Sequence, residues 1–339
     1  MSRDVTLEEV PAEDWPALAA GFSDLTYEQD MAYVAAGAER VGARVRAFGI
    51  RRGDAAIGAA CLRVKAVPGL GRGIAYLSAG PLLGRGPAEE APERAAAVLG
   101  ALRERLVDGE GHLLRLRLPA TAEGLAEADV LRAGFVATDR SHSYRTVLID
   151  LGPDMEALRK GLHSKWRYEL RRAEAEGLEI VVGRDRGFVE RFLALYRAMR
   201  EFKSFEESFD PAFLLDMADT DFDFEVRIVR HEGADVGGHV TAFTPACATY
   251  LFGATTGAGR DLRAGYALGW DAVAGARTRG VRWFDLGGVD KATNAAGHTF
   301  KIRTGGREAA ALGPYEAGTR LGGPLLRGIE DLYGVLRRR

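Results

Sequence analysis

Residues 44–64 alternate apolar and polar side chains, break at Arg52-Gly53-Asp54 and resume through Ile57-Gly58-Ala59. A period of two interrupted by a glycine turn predicts a β-hairpin. Residues 224–243 repeat the plan, from Phe224-Glu-Val-Arg-Ile-Val through a turn at Glu232-Gly233 to Val236-Gly-Gly-His-Val-Thr-Ala-Phe. A tyrosine-bearing strand follows each hairpin, Ile74-Ala-Tyr76-Leu77 in one half and Thr249-Tyr250-Leu251 in the other. An amphipathic helix comes next each time, about 92–106 with apolar Ala96, Leu99, Leu102 and Leu106, and about 265–279. Each helix feeds another strand, Leu113-Leu-Arg-Leu-Arg-Leu and Val281-Arg-Trp-Phe-Asp-Leu. Corresponding elements stand roughly 170–180 residues apart, which points to one scaffold used twice and not to a solenoid of short repeats. The expectation is a pair of α+β domains, residues 1–150 and 151–339.

Between the halves the pattern predicts helices over Met155–Leu162 and Ser164–Glu176, the second closed by Gly177. A strand at Leu178–Val182 and a long helix from about Gly187 to Arg200 then open the second domain. Leu162, Trp166, Leu170 and Ala173 share helical spacing and form the stripe expected to be buried. That burial forces a run of cations onto the outer face. Between Arg159 and Arg172 there are six Arg or Lys (Arg159, Lys160, Lys165, Arg167, Arg171, Arg172) against one acid, Glu169. A solvated charged face would explain the run. A patch for phosphates explains the shortage of acids as well.

Composition narrows the classes. The chain has 339 residues and 46 basic against 48 acidic side chains, so bulk charge announces no nucleic-acid partner and any such contact must be local. Cys61 and Cys247 lie in apolar strand-like runs and read as reduced core thiols. The acidic N-terminus does not read as a signal peptide. No window approaches the ~20 apolar residues of a membrane span, so a cytoplasmic chain without a transmembrane segment is expected. His112, His142, His163, His231, His239 and His298 show no ligand spacing, and no metal is expected. There is no Gly-x-Ser-x-Gly nucleophile elbow.

The chemistry concentrates late in the chain, in Tyr250-Leu-Phe-Gly-Ala, Gly265-Tyr-Ala-Leu-Gly-Trp-Asp, Phe284-Asp-Leu-Gly-Gly and Phe300-Lys301 followed by Gly305-Gly306. Backbone amides and a lone lysine beside an aromatic suit an anionic or acyl-bearing ligand. With the basic run Lys165-Trp-Arg-Tyr-Glu-Leu-Arg-Arg-Ala, these segments resemble the FemAB-like aminoacyltransferases, over roughly residues 145–316. The resemblance implies two tandem GNAT-type domains, each a mixed, mostly antiparallel sheet flanked by helices. It also implies transfer of an aminoacyl group from charged tRNA to an amine, on a cell-wall precursor peptide or a small metabolite. Aminoacyl-tRNA is then a co-substrate, no cofactor is called for, and the acceptor is an amine, nucleotide-linked in one reading.

Roles follow from that chemistry. Amide formation from an ester passes through a tetrahedral oxyanion, so the protein must chiefly position reactants and stabilise charge. Lys301 is the candidate for that stabilisation or for gripping the terminal phosphate of tRNA, with Phe300 packing beside it. Asp285 could accept a proton or hold an ammonium, or simply cap the turn at Gly287-Gly288. Arg200 and Lys203, three apart on one helix, form a workable diphosphate clamp. Tyr196, Tyr250 and Tyr266 complete the acceptor candidates, although the first two also suit a core. Lys165, Arg167, Arg171, Arg172, Arg260, Arg263 and Gly265 are the tRNA or phosphate candidates. Leu262 occupies the place where an acetyl-CoA turn usually carries Arg or Gln, which makes a poor coenzyme A signature. Two other readings stay open, an N-acyltransferase using acyl-CoA or a carrier-bound acyl group, and a non-catalytic binding module. In the transferase reading, the site is expected in a cleft between the halves.

Overall fold

The computed structural model describes residues 4–203, 210–292 and 294–336. By internal contacts the chain forms one unit from Met1–Tyr144 with Ala310–Arg339, and a second from Arg145–Ala309.

In chain order the first stretch contains strands β1 (Val5–Glu9), β2 (Arg44–Arg52), β3 (Ala55–Ala66), β4 (Gly73–Leu77), β5 (Leu113–Leu116) and β6 (Val136–Ala137). Its helices are α1 (Trp15–Ala19), α2 (Met31–Val41), α3 (Ala91–Arg103) and α4 (Glu127–Arg132). The middle stretch contains β7 (Arg145–Asp150), β8 (Glu179–Gly183), β9 (Phe224–His231), β10 (Ala234–Phe243), β11 (Cys247–Thr255), β12 (Trp283–Asp285) and β13 (Arg307–Ala310). Its helices are α5 (Met155–Gly161), α6 (Ser164–Glu174), α7 (Arg186–Lys203), α8 (Leu214–Met217), α9 (Gly257–Asp261), α10 (Ala264–Thr278) and α11 (Ala295–Ile302). The chain then returns with β14 (Tyr315–Ala317) and α12 (Gly322–Leu336).

Two seven-stranded sheets result, ordered β1-β2-β3-β4-β5-β14-β6 and β13-β7-β12-β11-β10-β9-β8. Read from opposite ends they follow the same plan. A hairpin and a third strand are antiparallel, a helix crosses over, and the next strand is parallel, β4 to β5 and β11 to β12. The predicted double scaffold is therefore the fold.

The domain limits differ from the expected 150 and 339. The strand beside β5 is β14, with Tyr315 opposite Leu116, and the strand beside β12 is β7, with Phe284 opposite Ile149. Each sheet thus receives that strand from the other side of the chain, moving the first limit to 144 and sending residues 310–339 back to the first unit. The return is fixed by buried charge as well as pairing. Arg115, 3% exposed, donates to Glu316 on β14 and to Glu330 on α12.

The helix pattern holds with one adjustment. In α3, Ala95, Val98, Leu99 and Leu102 enter the core, whereas Ala96 faces solvent. Leu162, Trp166, Leu170 and Ala173 are all buried, as the α6 periodicity requires. Gly177 has φ +64°, a left-handed conformation that stops the chain continuing as helix. Both cysteines are buried and unbridged. Among the described residues no helix is long and apolar enough to cross a membrane.

Candidate functional site

The site of the second unit begins where β11 and β12 part. Only Cys247, Ala248 and Thr249 pair with β12, while β11 runs on to Thr255. The stretch from Tyr250 onward lacks that neighbour, and a cavity of about 440 Å³ opens beside it. A bulge in the β10–β11 ladder reinforces the opening, since Val240 pairs with Phe252 and Thr241 with Tyr250, leaving Leu251 unmatched. Such bulges re-aim side chains. Tyr250, Gly253 and Thr255 line the cavity with Gly238 and His239 of β10. Leu162 and Trp166 close it near the start of α6, Gly265, Gly269 and Trp270 along α10, and Phe300 and Lys301 on α11.

Gly253 is required by contact. A Cβ there would lie 2.3 Å from the Tyr250 hydroxyl, so only glycine lets this ring lie across the sheet. The Tyr250 ring meets His239 edge-on, with centroids 4.6 Å apart, and burial pushes its phenol up to about 12. Gly287, at φ +72°, receives the Tyr250 carbonyl so closely that a Cβ would stand 2.5 Å from that oxygen.

Helix α11 begins at Asn294, whose side chain accepts from Gly297 N at 2.8 Å, a standard N-terminal cap. Successive positions on a helix face different ways, and this separates Phe300 from Lys301. Phe300 joins Trp166 and Tyr266, with centroids 5.7 and 5.1 Å away. Lys301 Nζ donates to Gly288 O at 2.9 Å and lies 5.1 Å from the Tyr250 ring centroid. Burial lowers its pKa to about 8, against the opposing pull of the Asp285 carboxylate. Among the described lining residues Lys301 alone carries a formal charge.

Asp285 does not line this cavity. It is 3% exposed, accepts from Gly287 N at 2.8 Å and from the Thr146 hydroxyl, and so holds the turn that presents the Gly288 carbonyl to Lys301. The turn-capping role is the one its geometry performs. Tyr196 is likewise a core residue, 8% exposed and packed between Phe192 and Phe252. Arg200 sits partly exposed on α7, and the side chain of Lys203 lies outside the described residues. Tyr266 serves as an aromatic wall behind Phe300.

The phosphate candidates separate into two groups. Arg263, in a left-handed conformation at φ 61°, donates to Glu169 at 2.8 Å and ties α10 to α6. Arg260 donates to the Thr255 carbonyl at 3.2 Å. Gly265 borders the cavity. On α6, Arg167 donates to the carbonyls of Lys160 and Leu162, which fixes the α5–α6 corner. Lys165, Arg171 and Arg172 are exposed, with Arg172 over the Tyr168 ring at 5.9 Å. Arg167 and Arg171 share a shallow concavity with Arg159, Lys160 and Glu156. The positive face is weaker than the local count of one acid suggested, because Glu174 pairs with Arg159 and Glu156 with Lys160.

Residues 160–301 match the family model of the acetyltransferase (GNAT) domain. Among solved structures, FemX superposes with a TM-score of 0.79 at 17% identity, over 96% of this chain and 100% of that one. The fold is FemX-like. The same layout recurs in the C-terminal domain (DUF2156) of a putative lysylphosphatidylglycerol synthetase from Agrobacterium fabrum, at TM-score 0.52, 13% identity, and 95% and 96% of the two chains. L-PGS from Bacillus licheniformis follows at TM-score 0.50, 13% identity, and 94% and 95%. No curated protein matches the chain. The GNAT-domain match supports an acyltransferase.

One feature of this site has no signal in the sequence, the burial of His239 against Tyr250. Alternation along β10 places His239 on the same face as Thr241, but nothing local shows that this face meets a cavity instead of a helix.

Proposed function

We propose that this chain is an aminoacyltransferase that moves an aminoacyl group from charged tRNA to an amine and forms an amide in the cavity beside β11. The observation carrying the proposal is a partly desolvated lysine ammonium on the wall of an aromatic cavity that carries no other charge among the described residues. In the reaction the amine nitrogen attacks the ester carbonyl, the C–N bond forms, and the carbonyl oxygen becomes negative. Lys301 stabilises that oxygen, and low local polarity strengthens the interaction. Collapse breaks the C–O bond to the ribose, whose hydroxyl takes up a proton released by the former amine, directly or through water. Phe300, Trp166 and Tyr250 shape the space so that the reactants meet with few alternative orientations. The exposed cations Lys165, Arg171 and Arg172 give the tRNA phosphates a place to lie.

Acyl-CoA or a carrier-bound acyl group is the second donor reading, favoured by the GNAT-domain match over residues 160–301. Leu262 and the engagement of Arg263 with Glu169 weigh against a pyrophosphate cradle at the start of α10. The test is to offer the full chain labelled aminoacyl-tRNAs and acetyl-CoA in parallel with a cell extract as acceptor source. Label leaving tRNA for an alkali-stable amide supports the proposal. Label leaving only the thioester replaces it with the second reading.

A further inference from the structure

His239 is 5% exposed, lines the cavity, and its Nε2 has no hydrogen-bond partner among the described residues. A buried polar atom left unpaired is costly, and such atoms in folded proteins normally find a partner. The sheet offers none here. Across the ladder His239 faces Arg227 on β9 and Gly253 on β11. Arg227 Nε is occupied by Asp271, and the same guanidinium pairs with Glu225. The Tyr250 and Phe284 rings cover the imidazole from β11 and β12 at 4.6 and 6.5 Å between centroids. The charges that act on it are Arg227 and, from α11, Lys301.

Two consequences follow. Burial first, then those two cations, lower the imidazole pKa to about 3, so the ring is neutral at any ordinary pH. A neutral imidazole carries one N–H, and beside these two cations an electron-rich ligand oxygen is the favoured partner for it. A ligand ammonium would be repelled by the same two cations.

We infer that His239 is a positioning residue of the acyl-transfer cavity, whose neutral imidazole donates Nε2–H to a carbonyl oxygen of the ligand beside Lys301. The inference rests on acyl transfer taking place in this cavity. It narrows the ligand group at this end of the cavity to an uncharged ester, thioester or amide carbonyl, and excludes a cationic group from that position.

The test uses the full chain 15N-labelled at histidine, phenylalanine and tryptophan and two probes, acetyl-CoA and 3′-alanylamino-3′-deoxyadenosine, a non-hydrolysable aminoacyl-nucleoside amide. The His239 signal is the one missing from His239→Gln. In the free protein it should show a neutral ring with no titration from pH 5 to 9. A probe that binds should move the Nε2 resonance while leaving the ring neutral. His239→Leu should weaken that probe about tenfold, and His239→Gln, which keeps a hydrogen-bonding group, should stay within about threefold. A purely packing role would let leucine bind as well as glutamine. A probe that shifts the Phe300 and Trp166 signals but leaves His239 unmoved overturns the inference and spares the acyl-transfer reading. Neither probe perturbing any cavity signal overturns both. The resonance arm uses the unmutated chain, so it decides even if the leucine variant does not fold.

Discussion

The Lys301 ammonium lies 5.1 Å from the centroid of the Tyr250 ring while donating to the Gly288 carbonyl at 2.9 Å. The electron-rich ring and the carbonyl hold the cation on two sides and replace part of the water it has lost. Neither contact neutralises it, so its charge stays available to an oxygen entering the cavity. Asp285 supports this arrangement from behind, through the turn and through its field.

The first prediction concerns pH. Lys301 titrates at about 8 instead of the ordinary 10.5 because burial disfavours its charge. Between those values the unfolded chain binds more protons than the folded one, so this residue's contribution to stability rises with pH across that window. In the proposed reaction the charged form stabilises the oxyanion, so activity has the opposite sign. We expect kcat/KM to fall about tenfold per pH unit above about 8. In Lys301→Arg the limb should vanish below pH 10, because guanidinium stays charged. A wild-type rate that instead climbs through pH 8, in step with Lys301, would mean the lysine acts as a base.

Asp285→Asn separates turn support from proton transfer. Removing the carboxylate takes away a field that raises the Lys301 pKa, so the descending limb should move below pH 8. Turnover at pH 6.5 should drop by roughly tenfold, as expected when a supporting residue is altered. A loss above a thousandfold at every pH, with the limb unmoved, would make Asp285 the base itself.

Gly253→Ala tests the packing under Tyr250. The new methyl would stand 2.3 Å from the phenol oxygen, so the ring must move. We expect about 1–3 kcal/mol of destabilisation in denaturant unfolding, together with weaker ligand binding. Unchanged stability and binding would show that the ring does not rest where the cavity geometry requires it.

Much of this was legible in the sequence, and the parts that were not share a cause. The hairpins, α6 and its buried stripe follow from local periodicity, which one stretch of chain carries by itself. The exchange of β7 and β14 does not, because the partner of Tyr315 is Leu116 and nothing near either residue encodes the pairing. Phe300 and Lys301 stood out as types, but the short helix α11 that splits their directions depends on a cap at Asn294. His239 counted only as one of six histidines without ligand spacing, because nothing near it encodes the parting of β11 from β12 that gives its face a cavity. Asp285 was ambiguous between two roles, and the Gly287 amide and Thr146 hydroxyl decided which one its geometry performs.

The exposed α6 cations yield a prediction read from salt. If Arg171 and Arg172 each contact a tRNA phosphate, replacing both by alanine should lower the slope of log K against log salt by about two. An unchanged slope would move the tRNA off this face.

We propose that the Lys301 charge stabilises the oxygen formed during acyl migration. It is tested most directly by single-turnover transfer from labelled aminoacyl-tRNA to the acceptor, comparing the wild type with Lys301→Ala at pH 7 and measuring acceptor binding alongside. The variant's rate should be lower by about 10²–10³-fold, with acceptor binding within a few-fold of wild type. Transfer by the alanine variant at the wild-type rate would contradict it.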